Sequence, residues 1–265
     1  MEHSTIKGMG ISGSKLQSFS HKYWSGKRDG GHRYSTEEWF QKYASELLAM
    51  LPSGGTLLDV GCGACQLTTY LAAEFEQVYA MDFSETMLAT ARQRIKSRGL
   101  TNMRLLSGTA QEFPKVIKNT NVILSFGLLQ YLTLADIRQH LLECRRVLSK
   151  GGMVCAANIP NSALKHLYYY GRLIPNQFQT ARGFRMWIEL TRRRVVAYFH
   201  RDLLWDAIGN WFSQADIERV ANDAGFDVEF RDSSFYGYRF HALLTPKPAQ
   251  ATPQPVETFH STQTD

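Results

Sequence analysis

The sequence predicts a doubly wound α/β domain, and three observations predict it. Largely apolar runs of five to seven residues recur along the chain. Segments with capped, amphipathic helical spacing lie between them. After the first run, LLDVGCGACQLTTYLA (57–72) breaks at two closely spaced glycines and resumes as a helix-like pattern. Strands that are apolar throughout belong to a parallel sheet covered on both faces by helices.

The elements follow in order. In STEEWFQKYASELLAML (35–51), Ser35 and Glu38 read as a capping box, and Phe40, Ala44, Leu47, Leu48 and Leu51 share one face. Pro52 and Gly54-Gly55 end that helix. TLLDV (56–60) is the first strand, a helix runs through Phe75, and QVYAMD (77–82) is the second strand. Ser84 caps a helix carrying Met87, Leu88, Ala91 and Ile95. NMRLLS (102–107) and NVILSF (121–126) read as the third and fourth strands. Thr133 and Asp136 then cap a helix with Ile137, Leu141, Cys144 and Leu148 on its apolar stripe, closed by Gly151, and MVCAANI (153–159) is a fifth strand. The rhythm stops over 160–212, a helical or irregular cap inserted after the fifth strand and rich in aromatic and basic residues. It returns with a helix capped by Ser213 and Asp216 and ended by Gly225, then FDVEF (226–230) and RFHALLT (239–245), which suit an antiparallel pairing at a sheet edge. Residues 246–265 read as a disordered tail and 1–34 as an N-terminal arm, leaving 35–245 as the folded domain.

Composition narrows the classes. A chain of 265 residues buries one substantial core, with 44% hydrophobic and 20% charged residues, as ordinary globular proteins do. No apolar stretch reaches the roughly 18–20 residues that span a bilayer, and the N-terminus lacks a signal core, so the expected location is the cytoplasm. Cys62 and Cys65 form a C-x-x-C inside the glycine loop, with no second pair or His cluster at zinc spacing, so no metal is expected. The net charge of +6 permits anionic partners without demonstrating any.

The glycine loop sits where an open α/β sheet holds its ligand, beyond the carboxyl end of the first strand. A dinucleotide fold has G-x-G-x-x-G there, and the third position here is Gln66. Asp82 ends the second strand and suits a ribose diol, at a spacing equally compatible with a nicotinamide cofactor. G-x-x-x-x-G-K-[ST] is missing, which excludes a P-loop. Spacing alone leaves a dinucleotide and another nucleoside cofactor both open.

LLDVGCGACQLTTYLA, VYAMDFSETMLATARQR, LLSGTAQEFP, VILSFGLLQYL and RRVLSKGGMV, taken in this order, resemble the class I S-adenosylmethionine-dependent methyltransferases over roughly 35–245. The resemblance implies a seven-stranded, mostly parallel sheet with an antiparallel last strand, and S-adenosyl-L-methionine as cofactor. It implies that Gly61, Cys62 and Gly63 approach the methionine part, with Asp59 bracing the loop. Asp82 then holds the ribose, Phe83 and Met87 pack on the adenine, Thr109, Ala110 and Gln111 face its amino edge, and Ser125, Phe126 and Leu128 line the floor beneath the sulfonium. Two departures stand out. Cys65 occupies a position where many relatives carry a third glycine, tolerable if it already lies in the helix, and Thr109 stands where many have aspartate.

The acceptor is less legible. The place of the N/D-P-P-Y/F signature of enzymes that methylate planar nitrogens reads Ser125-Phe126-Gly127-Leu128, which argues against those substrates. A hydroxyl or amine acceptor needs a base. The candidates are His200, in the cap, and Tyr131, after the fourth strand. His140 is expected on a polar helix face and His241 in a structural place within a strand. Tyr23, His32 and Tyr34 of the arm and Tyr198 and Trp205 of the cap are the candidate substrate contacts. The arginines of the cap read as a solvated face or as an attraction for an anionic substrate or membrane surface; no nucleic-acid module accompanies them. The expectation is O-methylation of a small molecule, a sugar, phenol or natural-product scaffold, with N- or C-methylation of a small molecule or lipid as the alternative. An oxidoreductase would need the third glycine and a Tyr-x-x-x-Lys, and an inert cofactor-binding protein is the remaining rival. The oligomeric state is not readable from the sequence.

Overall fold

A computed structural model describes residues 36–169, 191 and 209–248. Its sheet has seven strands: β1 Thr56–Val60, β2 Gln77–Asp82, β3 Met103–Ser107, β4 Thr120–Phe126, β5 Leu148–Pro160, β6 Phe226–Asp232 and β7 Arg239–Pro246. The order across the sheet is β3-β2-β1-β4-β5-β7-β6. Neighbours from β3 to β5 are parallel, while β7 runs antiparallel to both β5 and β6. The apolar runs of β1, β2 and β4 are largely buried because these strands lie inside the sheet, whereas β3 and β6, at its edges, bury only their first residue fully.

The described helices are α1 Glu37–Leu48, α2 Thr68–Leu71, α3 Glu85–Ser97, α4 Leu134–Val147, α5 Lys165–Tyr169 and α6 Gln214–Asp223. The core divides between the two sheet faces. Ile137, Leu141, Ile217 and Val220 pack with Ile123, Phe226 and Phe240 on one side. Trp39, Phe40, Tyr43, Leu47, Leu71 and Ala91 pack with Leu57, Val78 and Leu124 on the other.

Capping explains where α4 and α6 begin. Thr133 Oγ1 accepts from Asp136 N at 3.2 Å while Asp136 Oδ2 accepts from Thr133 N at 3.1 Å. Ser213 and Asp216 make the same reciprocal pair. Replacing Thr133 by alanine is therefore expected to lower stability by about 1 kcal/mol in chemical denaturation, with cofactor affinity unchanged.

Several boundaries differ from the sequence reading. The N-cap of α1 is Thr36, whose hydroxyl accepts from Trp39 N at 3.2 Å, and not Ser35, which lies outside the described residues. The helix expected through Phe75 is one turn of α-helix followed by a 3-10 turn, Ala72–Glu74. Leu148 does not extend α4 but opens β5, which keeps going through the left-handed Gly151. Pro246 belongs to β7, and Lys247 N donates to Gly225 O at 2.9 Å, so the fold extends past the expected start of the tail. The chain leaves β5 and returns side by side: Phe212 N donates to Pro160 O (2.9 Å) and Ser162 N to Phe212 O (3.0 Å). No helix among the described residues is long and apolar enough to cross a membrane.

Candidate active site

Strand order reverses between β1 and β4, so the loops after these two strands open the crevice in which such sheets hold ligands. The loop after β1 is stitched to β2. Gly61 N and Cys62 N both donate to Met81 O, at 2.8 and 3.0 Å, and Gly63 N donates to Asp82 Oδ2 at 2.9 Å. Gly61 and Gly63 adopt φ of 77° and 53°, in the left-handed region that favours glycine. A Cβ at Gly61 would lie 3.1 Å from Leu128 Cδ1, so the turn after β4 presses on the loop, whereas a Cβ at Gly63 would meet no described residue within 4 Å. The backbone is thus open at Gly63.

Cys65 lies before the helix, which starts at Thr68; its φ is 53°, in the left-handed region that favours glycine, and its side chain is fully buried. Burial raises the Cys62 thiol well above its ordinary value, and all four cysteines are free thiols. Among the described residues, no three His, Cys, Asp or Glu side chains gather as a metal site.

Two buried carboxylates flank the loop. Asp59, 3% exposed, accepts from Thr68 Oγ1 at 2.5 Å through Oδ2, and its buried Oδ1 has no partner among the described residues. Burial pushes its carboxyl up to about 7, a rise opposed by the Thr68 hydroxyl and helped by the neighbouring charge of Asp82. Asp82 accepts from Gly63 N and, through Oδ1, from Ser84 N at 2.9 Å. Burial also raises Asp82 above the usual carboxylate range, against the pull of the Ser84, Gly63 and Phe83 backbone N–H groups. Phe83 follows directly, half-buried, and Met87 is buried on the first turn of α3.

The loop after β3 reaches the same place, with Gly108 N donating to Asp82 O at 3.2 Å. Within it Thr109 is exposed, and Ala110 and Gln111 are half-buried. His140 is not on a polar face. It is fully buried, with Nδ1 2.9 Å from Ala110 O and Nε2 2.8 Å from Ser125 Oγ. The carbonyl can only accept, so Nδ1 carries the hydrogen and the Ser125 hydroxyl donates to Nε2. Burial holds the ring down to about 4, hence neutral. His140 thereby ties the loop after β3 to the end of β4. The sequence carried a signal for this: position 140 is three residues after Ile137 and four before Cys144, on the buried stripe.

Beyond Ser125, the ring of Phe126 meets Tyr43 edge-on at 4.9 Å, and Tyr43 in turn stacks on Trp39 at 5.1 Å and meets Phe235 at 4.9 Å. Tyr131 ends the 3-10 turn Leu129–Tyr131 that follows β4. The structure therefore gathers Asp59, Gly61, Cys62, Gly63, Asp82 and Phe83 at one loop, and joins Ala110 to Ser125 through His140. His200, Tyr23, His32, Tyr34, Tyr198 and Trp205 lie outside the described residues. His241 is buried in β7, as expected, with Nδ1 accepting from Asn158 N at 3.2 Å.

Comparison with known proteins agrees with this geometry. A family model described as a methyltransferase domain matches residues 57–152. The chain is 34% identical to the demethylmenaquinone methyltransferase of Geobacillus kaustophilus (strain HTA426) over 193 residues, covering 69% of this chain and 75% of that one. Its fold is similar to that of a Haemonchus contortus phosphoethanolamine N-methyltransferase solved with phosphoethanolamine and S-adenosylhomocysteine, with a TM-score of 0.65 at 18% identity, covering 91% of this chain and 51% of that one. It is also similar to the DhpI complex with S-adenosylhomocysteine, with a TM-score of 0.59 at 14% identity, covering 88% and 98%. With the glycine loop at the switch point and this set of relatives, the chain belongs to the class I S-adenosylmethionine-dependent methyltransferases.

Proposed function

We propose that this methyltransferase acts on an aromatic small molecule of quinol or phenol type, seated at the carboxyl ends of β4 and β5. The observation that carries this reading is the half-buried ring of Phe126 at the carboxyl end of β4, backed by the buried Tyr43 and the half-buried Phe235. A partly exposed ring held rigid by core aromatics beside the switch point offers a flat, apolar contact to a flat acceptor. The name of the Geobacillus relative, a demethylmenaquinone methyltransferase, points to the same class.

S-adenosylmethionine supplies an activated methyl group, and the chain's residues fit it. The open backbone at Gly63 and the unpartnered Asp59 Oδ1 suit the methionine end, whose ammonium is a donor. Asp82 keeps lone pairs for the ribose hydroxyls while it accepts from Gly63 and Ser84, since each carboxylate oxygen takes two donors. Phe83 and Met87 pack on the adenine, Thr109, Ala110 and Gln111 face its amino edge, and Ser125 and Phe126 form the floor. Aligning acceptor and methyl carbon and excluding water is then the protein's main work. Tyr131 or His200 takes the acceptor proton, and the arm with Tyr23, His32 and Tyr34 and the cap with Tyr198 and Trp205 close over the ring. In this reading the enzyme works in the cytoplasm, needs no metal and does not act on nucleic acid.

Turnover of labelled S-adenosylmethionine against a panel of hydroquinones, phenols, sugars and amines tests this. Methylation of the hydroquinones or phenols is expected, with the acceptor atom identified by product NMR. Turnover confined to sugars or amines would overturn the aromatic reading.

A further inference from the structure

Arg239 opens β7 and is 9% exposed. A buried guanidinium is ordinarily paired with a carboxylate, because stripping water from an uncompensated charge costs several kcal/mol. Among the described residues no carboxylate pairs with this one. Its Nη1 donates to Gln130 Oε1 at 3.1 Å and to Asn158 O at 2.7 Å, both neutral acceptors, and its Nε is buried with no partner. The rings of Tyr236 and Tyr238 lie under it, with centroids 5.6 and 5.1 Å away. Beside it, Asn158 adopts φ of 66°, and its buried Oδ1 also lacks a partner among the described residues.

The placement is the informative part. Gln130 lies on the turn after β4, Asn158 near the carboxyl end of β5, and Gln130 Nε2 donates to Gly127 O at 2.8 Å, next to Phe126. The chain returning from the cap crosses the same turn, with Asn210 N donating to Gln130 O at 2.7 Å. Among the described residues, then, a cation with only neutral partners, Tyr238 included, and an acceptor without one stand among aromatic rings beside the turn after β4 and the end of β5.

We propose that Arg239, with Gln130 and Asn158, forms an acceptor subsite that takes an ionised oxygen, phenolate or carboxylate, carried on the acceptor's aromatic ring. This rests on the aromatic reading above and narrows it to anionic rings. Such an oxygen gives Arg239 the counter-charge that no described residue supplies, and Asn158 Oδ1 accepts from a hydroxyl on the same ring. The subsite thereby favours the deprotonated, more electron-rich form of a phenol or quinol. Both sources of the anion share this chemistry, and the probes separate them.

The test uses the full chain saturated with S-adenosylhomocysteine and calorimetric titration with 1-hydroxy-2-naphthoate, its neutral methyl ester, and 1-naphthol across the pH range of its ionisation. The wild type is expected to bind the carboxylate at least ten-fold more tightly than the ester, or to bind naphtholate at least ten-fold more tightly than naphthol. Arg239→Gln is expected to abolish that preference with S-adenosylhomocysteine affinity unchanged. Because Arg239 also bridges β5 and β7, a second variant guards against misfolding. Gln130→Glu sets a carboxylate beside Nη1, which preserves or raises the melting temperature and removes the preference for anions. A structural role alone would leave the preference intact in Gln130→Glu. A wild type indifferent to ionisation, or a Gln130→Glu enzyme that keeps the preference, overturns the subsite. If neutral phenols are nevertheless methylated, the aromatic reading survives that failure; turnover of sugars or amines alone removes both.

Discussion

Asp82→Ala is expected to weaken S-adenosylhomocysteine binding by two to three orders of magnitude. Charge-assisted hydrogen bonds contribute about 1.5–3 kcal/mol each, and the ribose diol would make up to two of them with this carboxylate. The carboxylate also does something that is visible without ligand: it accepts from Gly63 N and Ser84 N and so holds the glycine loop against the start of α3. Alanine removes both functions, leaving the Gly63 and Ser84 N–H groups without an acceptor. Because Asp82 is raised by burial, part of the loss is offset in the free protein, whose stability should fall by less than the binding energy. Calorimetry with S-adenosylhomocysteine and thermal denaturation of the same samples separate the two. Unchanged affinity would show that the ribose is held elsewhere.

Most of this arrangement was legible in the sequence. β1 and β2 fall on TLLDV and QVYAMD because apolar runs bounded by Gly54-Gly55 and by the glycine loop have little freedom to shift. The capping pairs at 133 and 136 and at 213 and 216 start helices because their side chains satisfy backbone donors that nothing else reaches. What escaped were residues whose role depends on distant partners. His140 looked polar by type, although its spacing put it on the buried stripe, and only the meeting of Ala110 and Ser125 around it explains a neutral ring in a core. Cys65 hid its left-handed backbone because sequence type argues for glycine there. Arg239 had no local signal: its partners are 109 and 81 residues away in the chain.

Asp59 yields the second large effect, one in which stability and function oppose each other. Its carboxyl sits at about 7 in the folded protein against 3.8 ordinarily, so between these values the native state holds a proton that the unfolded chain has released. Stability contributed by this group is therefore full at pH values below about 4, falls as pH rises, and is lost above about 7. At about 1.4 kcal/mol per pH unit, the ionised group costs the fold roughly 4 kcal/mol at pH 8. Asparagine mimics the protonated acid, so Asp59→Asn should match the wild type near pH 4 and exceed it by that amount at pH 8 in urea denaturation. A gap that does not widen with pH would show that Asp59 is ionised in the fold at lower pH. The same substitution should weaken S-adenosylhomocysteine binding at least ten-fold at pH 8, because the buried, unpartnered Oδ1 no longer offers a charge to the ammonium. Binding to the wild type should then release a proton near pH 7, which titration in buffers of different ionisation enthalpy measures directly. On the proposed reading, this costly carboxylate receives the ammonium of the cofactor, and proton release on binding is the signature expected of that exchange.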